Sequence, residues 1–242
     1  MSFARRAAKE PSWAHGSVAG RSTEGAILTM LSAAWRLKET KTDNVAMLFD
    51  ASNAFSSVAL PHLADVMAEL APDEDKEQHN EQLAQQCFDL VTEEGTTTFR
   101  PKVGIMMGKS GGPATFIRSY NKKLQTWNNT TSHAHPAQMG LRTRDPVTNR
   151  MTDLSLTTFV DDIAKTIIEE EGGMTAVAGE VEDRLGDKME EIGLKMNADK
   201  TEHLPAAFGP GSAQRPRRVC FAGPYQDHGA KKGGGVEFEF MS

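Results

Sequence analysis

The sequence predicts an α+β fold, an antiparallel sheet backed by helices. Three observations predict it. Short runs of alternating apolar and polar residues stand between longer runs with apolar residues at helical spacing. The strand-like run Leu154 to Asp162 is followed at once by a second, Ile163 to Ile168, with room only for a tight turn, so the two are expected to pair antiparallel. Of 242 residues, 38% are hydrophobic and 25% charged, enough for one packed core and too apolar for a wholly disordered chain.

Taken in order, residues 22–37 read as a helix capped by Ser22 or Thr23, with Ile27, Leu31 and Ala34 at helical spacing. Residues 44–50 read as a strand, with Val45, Met47 and Phe49 on one face. Pro61 suits a first helical position, and Leu63, Val66, Met67 and Leu70 continue that helix. The acidic stretch 71–80 reads as a loop, and Leu83, Cys87, Leu90 and Val91 suggest another helix. A short strand is expected at Thr96–Arg100, then a glycine-punctuated loop from Gly104 to Pro113. The next helix has Phe116, Tyr120, Leu124 and Trp127 on one side and Arg118 and Lys122 on the other. Residues 128–150 are expected to form a loop with a ragged hairpin. After the paired strands, Val177, Val181, Leu185, Met189 and Ile192 mark a long amphipathic helix ended by Gly193. The tail from Gly209 reads as weakly structured, with a short strand at Val219–Phe221.

No run reaches the roughly 18 consecutive apolar residues of a membrane span. Met1–Arg6 has no apolar stretch behind it, as a secretory signal has. Cys87 and Cys220 are the only cysteines, which excludes a disulfide scaffold and a zinc knuckle. An intracellular protein, cytoplasmic or nuclear, with no membrane partner is expected. The net charge of −6 argues weakly against nucleic acid, but its distribution does not. Residues 69–94 hold nine acidic residues against one basic, and 169–191 nine against two. Residues 95–150 hold nine Lys and Arg against one Asp. Screening acts over about 8–10 Å, so such a local basic face can hold phosphate.

Two acidic positions stand out. Asp50 ends an apolar strand, and Asp161-Asp162 sits at the tip of the expected hairpin. Carboxylates at strand ends and hairpin tips can converge at one sheet edge, where they repel and call for a cation. Mg²⁺ is the oxygen-seeking choice that leaves room for water and substrate phosphates. A pair of such ions about 3.5–4 Å apart can activate a 3′-hydroxyl and stabilise the leaving pyrophosphate. By spacing alone, a helix cap at Asp50 and a plain turn at Asp161-Asp162 account for these residues equally well.

The order of segments resembles the reverse transcriptase family, in its non-LTR retrotransposon type. "GRSTEGAI" (20–27) resembles the segment that precedes the palm. "MLFDASNAFSSV" (47–58) looks like motif A, "GIMMGKSGGPATF" (104–116) like motif B, and "FVDD" (159–162) like motif C. "EIGLKMNADKTEHL" (191–204) looks like motif D, and "CFAGPYQDHG" (220–229) like the strand after the palm. The resemblance implies a polymerase palm, a ferredoxin-like antiparallel sheet backed by helices, with partial fingers. It implies RNA-templated DNA synthesis by two-metal nucleotidyl transfer, with an RNA template, a DNA primer and deoxynucleoside triphosphates as partners. Asp50 and Asp161 would bind two Mg²⁺ ions, Mn²⁺ serving as a substitute, and Asp162 would support the site. Phe55 would gate against a ribose 2′-hydroxyl. Ala51 and Gly108 would approach the nucleotide through backbone amides, and Lys200 would lie near its phosphates. The basic helix side of Arg118 and Lys122 adds a candidate contact to nucleic-acid phosphate.

The chain departs from the family at Met107, where a glutamine normally precedes the motif B glycine. The interval from Asp50 to Asp161 is long and implies insertions near 71–80 and 128–150. The expected organisation is partial fingers over 1–43, a palm over 44–204 and a tail over 205–242, without a full thumb. A catalytically inactive descendant and a carboxylate-metal phosphohydrolase are the alternative readings.

Overall fold

The computed structural model describes residues 10–71, 73–105, 112–144, 149, 151–168 and 173–208. The first half comprises α1 (Thr23–Glu39), β1 (Asn44–Phe49), β2 (Ala51–Ser52), α2 (Ala54–Ser57), α3 (Leu60–Leu70), α4 (Lys76–Ala84), β3 (Phe88–Thr92) and β4 (Gly95–Phe99). The second comprises α5 (Gly112–Ala134), β5 (Arg142–Arg144), β6 (Met151–Asp153), β7 (Leu156–Phe159), β8 (Asp162–Ile168), α6 (Met174–Glu190), β9 (Lys195–Met196) and β10 (Glu202–Ala206).

The central sheet is antiparallel, in the order β10-β1-β8-β7. The alternation read in 44–50 makes its back face. Val45, Met47 and Phe49 are buried and lie opposite Ile167, Lys165 and Ile163. α6 packs on this face through Val181, Leu185 and Met189, each such burial stabilising by about 1.5–3 kcal/mol. α5 packs on α6, and Trp127 Nε1 donates to the Val181 carbonyl at 3.1 Å. β10 occupies one edge, where Pro205 can be accommodated. The other edge, along β7, is met by the strap at 13–15: Thr158 N–H donates to the Trp13 carbonyl and His15 N–H to the Thr158 carbonyl, each at 2.9 Å. Trp13, Ala14 and Val18 belong to the same core as the sheet.

Several expectations are corrected. Residues 73–80 are a 3-10 turn and the start of α4 rather than a loop, because a helix with so few apolar residues has no periodic stripe to read. Residues 88–92 are a strand, paired with β4 as an exposed hairpin, not part of a helix. α5 runs on to Ala134, its last turns burying Asn128, Thr131 and Ser132 instead of apolar residues. β10 had no counterpart in the reading. α1 buries Ala26, Ala33 and Leu37 and turns Ile27 and Leu31 outward, at 51% and 59% exposure. Small residues let α1 lie close against β7. The tail strand at 219–221 lies outside the described residues. No helix among the described residues is long and apolar enough to cross a membrane.

Candidate active site

The sheet's register brings the remote acidic segments together. β1 ends with Phe49 opposite Ile163, so the next step sets Asp50 against Asp162 on the front face. β7 and β8 are joined by a two-residue turn, Val160-Asp161, closed by the Phe159–Asp162 pair. Val160 has φ +61° and Asp161 has no positive φ, the sign pattern of a type II′ turn. In front lies a cleft of about 530 Å³ whose walls include Met30, Leu48, Asp50, Asp162, Ala164 and Lys200.

Asp50 is held by the segment that follows α6. Asn197 Nδ2 donates to Asp50 Oδ2 at 3.3 Å, and Asn197 N–H donates to the Asp50 carbonyl at 2.8 Å. Lys200 Nζ stands 3.2 Å from Asp50 Oδ2, with the lysine side chain 66% exposed and the aspartate 21%. Ala51 is buried and pairs with Met196, which ties β2 to β9 beside the carboxylate.

Burial raises the pKa of both hairpin carboxyls. The charge of Asp50 raises Asp161 further, against a backbone hydrogen bond that lowers it. The charges of Asp161 and Asp50 raise Asp162, against Lys200, which lowers it. The three carboxylates therefore sense one another. Tyr120 lies beneath them, fully buried, and its hydroxyl donates to the Asp161 carbonyl at 2.8 Å. Burial first, and then the charges of Asp161, Asp162 and Asp50, push its phenol well above the ordinary range.

Phe55 is half-buried and stacks on Phe116 at 4.2 Å, and Phe116 stacks on Tyr120 at 5.4 Å. An aromatic column thus runs from α2 to the carboxylate turn. The start of the glycine loop crosses α2 directly. Gly104 has φ +82°, and a Cβ there would stand 2.6 Å from the Ser56 carbonyl carbon. Gly104 N–H donates to the Val58 carbonyl at 2.7 Å, and Ile105 N–H to the Phe55 carbonyl at 2.9 Å. Gly108 lies outside the described residues.

Arg118 and Lys122 sit on α5 as expected, but acidic partners engage both. Arg118 lies 3.5 Å from Glu10 and 3.9 Å from Glu69, and Lys122 bonds to Glu69. Tyr120 and Asn197 were missed as site residues. A tyrosine in an otherwise apolar stripe was the available signal for the first; the hydrogen bonds of Asn197 had none in sequence.

Among the described residues, no three His, Cys, Asp or Glu side chains form a ready-made metal cage. The carboxylates of Asp50, Asp161 and Asp162 nevertheless suit a hard divalent cation. They are oxygen donors, their mutual repulsion is only partly relieved by Lys200, and Mg²⁺ takes one or two protein carboxylates with water and phosphate completing its shell.

A family model described as reverse transcriptase (RNA-dependent DNA polymerase) matches residues 8–220. No curated protein matches the chain. Among solved structures, telomerase from Candida tropicalis truncated from its C-terminal domain superposes with a TM-score of 0.56 at 13% identity, covering 85% of this chain and 37% of that one. Telomerase from Candida albicans in complex with a TWJ fragment of telomeric RNA gives a TM-score of 0.57 at 11% identity, covering 86% and 35%. At these identities the likeness is one of fold. The chain spans little more than a third of the length of these telomerases.

Proposed function

Because the chain belongs to the reverse transcriptase (RNA-dependent DNA polymerase) family, we propose that it carries the palm of an RNA-templated DNA polymerase of retrotransposon type, working inside the cell. The observation that carries this reading is the meeting of Asp50 with Asp161-Asp162, from remote stretches of chain, at one end of an antiparallel sheet. The motif order from 20 to 204 supports the retrotransposon assignment.

Asp50 and Asp161 would hold two Mg²⁺ ions, which when bound supply charge stabilisation for nucleotidyl transfer. Asp162 adds negative charge on the cleft wall beside Asp50. Asn197 fixes the backbone and one carboxylate oxygen of Asp50. Lys200 neutralises Asp50 in the resting chain, and its exposed ammonium is free to swing to an incoming triphosphate, exchanging one anion for another. Phe55, braced by Phe116, offers a rigid edge against a ribose 2′-hydroxyl. Arg118 and Lys122 would reach nucleic-acid phosphate only by giving up Glu69, so their contribution is smaller than a free basic face provides.

Primer extension on an RNA template, with Mg²⁺ and deoxynucleotides, tests the reading. The wild-type chain is expected to incorporate, and Asp161→Asn to fall by at least about 10³-fold, as when a transition-state charge partner is removed. Equal incorporation by both removes Asp161 from the chemistry. None by the wild type leaves a non-catalytic descendant.

A further inference from the structure

The turn that presents Asp161 and Asp162 has a backbone its own residues disfavour. Val160 is β-branched yet sits at φ +61°, where glycine is the ordinary occupant of this turn position. Such a conformation persists when its surroundings over-determine it. Two contacts from remote parts of the chain do so here.

The first is Tyr120, whose buried hydroxyl donates to the Asp161 carbonyl at 2.8 Å from the back of the sheet. The second is Gly16. A Cβ at Gly16 would meet the Val160 backbone nitrogen, 2.7 Å from Val160 Cγ2 and 2.8 Å from the Phe159 carbonyl carbon. Only a bare backbone fits there, and it presses on Val160. The strap that carries Gly16 is itself fixed. Trp13 is buried in the core, residues 13–15 bond to Thr158, and Arg21 bonds to the carbonyls of Glu10 (2.8 Å), Pro11 and Ala14.

We propose that Tyr120 and Gly16 form a two-sided clamp that holds the Val160-Asp161 turn, and with it the carboxylates of Asp161 and Asp162, in the orientation that receives divalent cations. The inference rests on the metal-binding reading of the site. Both are positioning residues: neither points a ligand atom at a cation, and each acts through the backbone of the turn.

The test is Mn²⁺ affinity, read by water-proton relaxation, together with hydrogen exchange over Phe159–Asp162. Both are measured on the full chain as wild type, Tyr120→Phe and Gly16→Ala, with urea unfolding as the control for the fold. Tyr120→Phe is expected to weaken Mn²⁺ about tenfold, the scale of one lost hydrogen bond, and to speed exchange at the turn while the unfolding midpoint stays near wild type. Gly16→Ala, whose Cβ must push the Val160 backbone aside, should weaken Mn²⁺ and speed exchange at least as much and lower the midpoint as well. A purely structural tyrosine would move the midpoint and leave the affinity alone. Wild-type Mn²⁺ affinity in Tyr120→Phe overturns the clamp. If the wild-type chain binds no Mn²⁺, the metal reading itself fails and exchange judges the clamp: faster in Tyr120→Phe upholds it, unchanged refutes it.

Discussion

The β7–β8 hairpin carries two clusters of charge that follow opposite rules. At its turn, Asp161 and Asp162 face Asp50 with Lys200 as the nearby cation, and both hairpin carboxyls are shifted up. A few residues further along β8, Lys165 is fully buried, bonded to Asn128 Oδ1 and Ser155 Oγ at 2.7 Å each, with its ammonium 5.9 Å from the Trp127 ring. Asp153 completes that cluster, accepting from Asn128 at 2.9 Å and Ser155 at 2.6 Å and lying 3.7 Å from Arg142. Burial pushes the Asp153 carboxyl up, but Lys165 and the bonds from Ser155 and Asn128 more than offset this, and the net shift is down. Matched charge at Lys165 holds β8 to α5. Mismatched charge at the turn is what the proposed cations would offset.

The largest effect expected from this contrast lies in the matched cluster. Asp153→Ala strips buried Lys165 of its carboxylate and should cost about 3–5 kcal/mol in urea unfolding; a loss below about 1 kcal/mol shows the pair to be dispensable. At the turn the sign reverses. Asp161→Asn relieves repulsion and should raise stability by on the order of 1 kcal/mol without a divalent cation, and any clear loss contradicts the idea of mismatched charge.

Titration sharpens the same contrast. Carbon-13 carboxyl shifts should give midpoints above 3.8 for Asp161 and Asp162 and below it for Asp153. Folding therefore loses stability from the two turn carboxyls as the pH rises through their window. The Asp153 contribution is whole above 3.8 and is lost as the pH falls from there through that group's lowered value. Lys165 is held down to about 8 by burial, against 10.5 for the free side chain, so between these values the unfolded chain holds more protons. This group alone makes stability climb from about pH 8 to 10.5, and a flat profile in Lys165→Met against a rising one in wild type would bear that out. The smallest effect belongs to the exposed ion pair between Lys122 on α5 and Glu69 on α3: Lys122→Gln should change stability by less than about 0.5 kcal/mol.

Sequence pattern revealed the two clusters unequally. The strand 44–50, the hairpin at Asp161-Asp162 and the helix to Gly193 were legible because alternation, helical period and turn residues act locally. Lys165 left a trace, a lysine between Ile163 and Ile167 on one strand face, but nothing local says that Asn128, Ser155 and Asp153 will satisfy it. Periodicity cuts α5 short because its last turns bury polar residues, among them Asn128, which serves that cluster. α1 shows the converse. Period identifies a helix, yet which of two stripes turns inward depends on what packs there, and close approach to β7 selects Ala26 and Ala33 over Ile27 and Leu31. Residue types and motif order single out Asp50, Asp161 and Asp162, and the sheet brings the three to one end. The bonds from Tyr120 and Asn197 come from distant chain and are fixed by tertiary packing alone.

The most direct measurement of the central claim is a Mn²⁺ titration of Asp50→Asn, Asp161→Asn and the double variant, read by water-proton relaxation. Carboxylates that share a site are non-additive, so each single change should weaken binding by about a hundredfold and the double change by little more. Losses that simply add, or single variants that bind as the wild type does, would contradict a shared metal site.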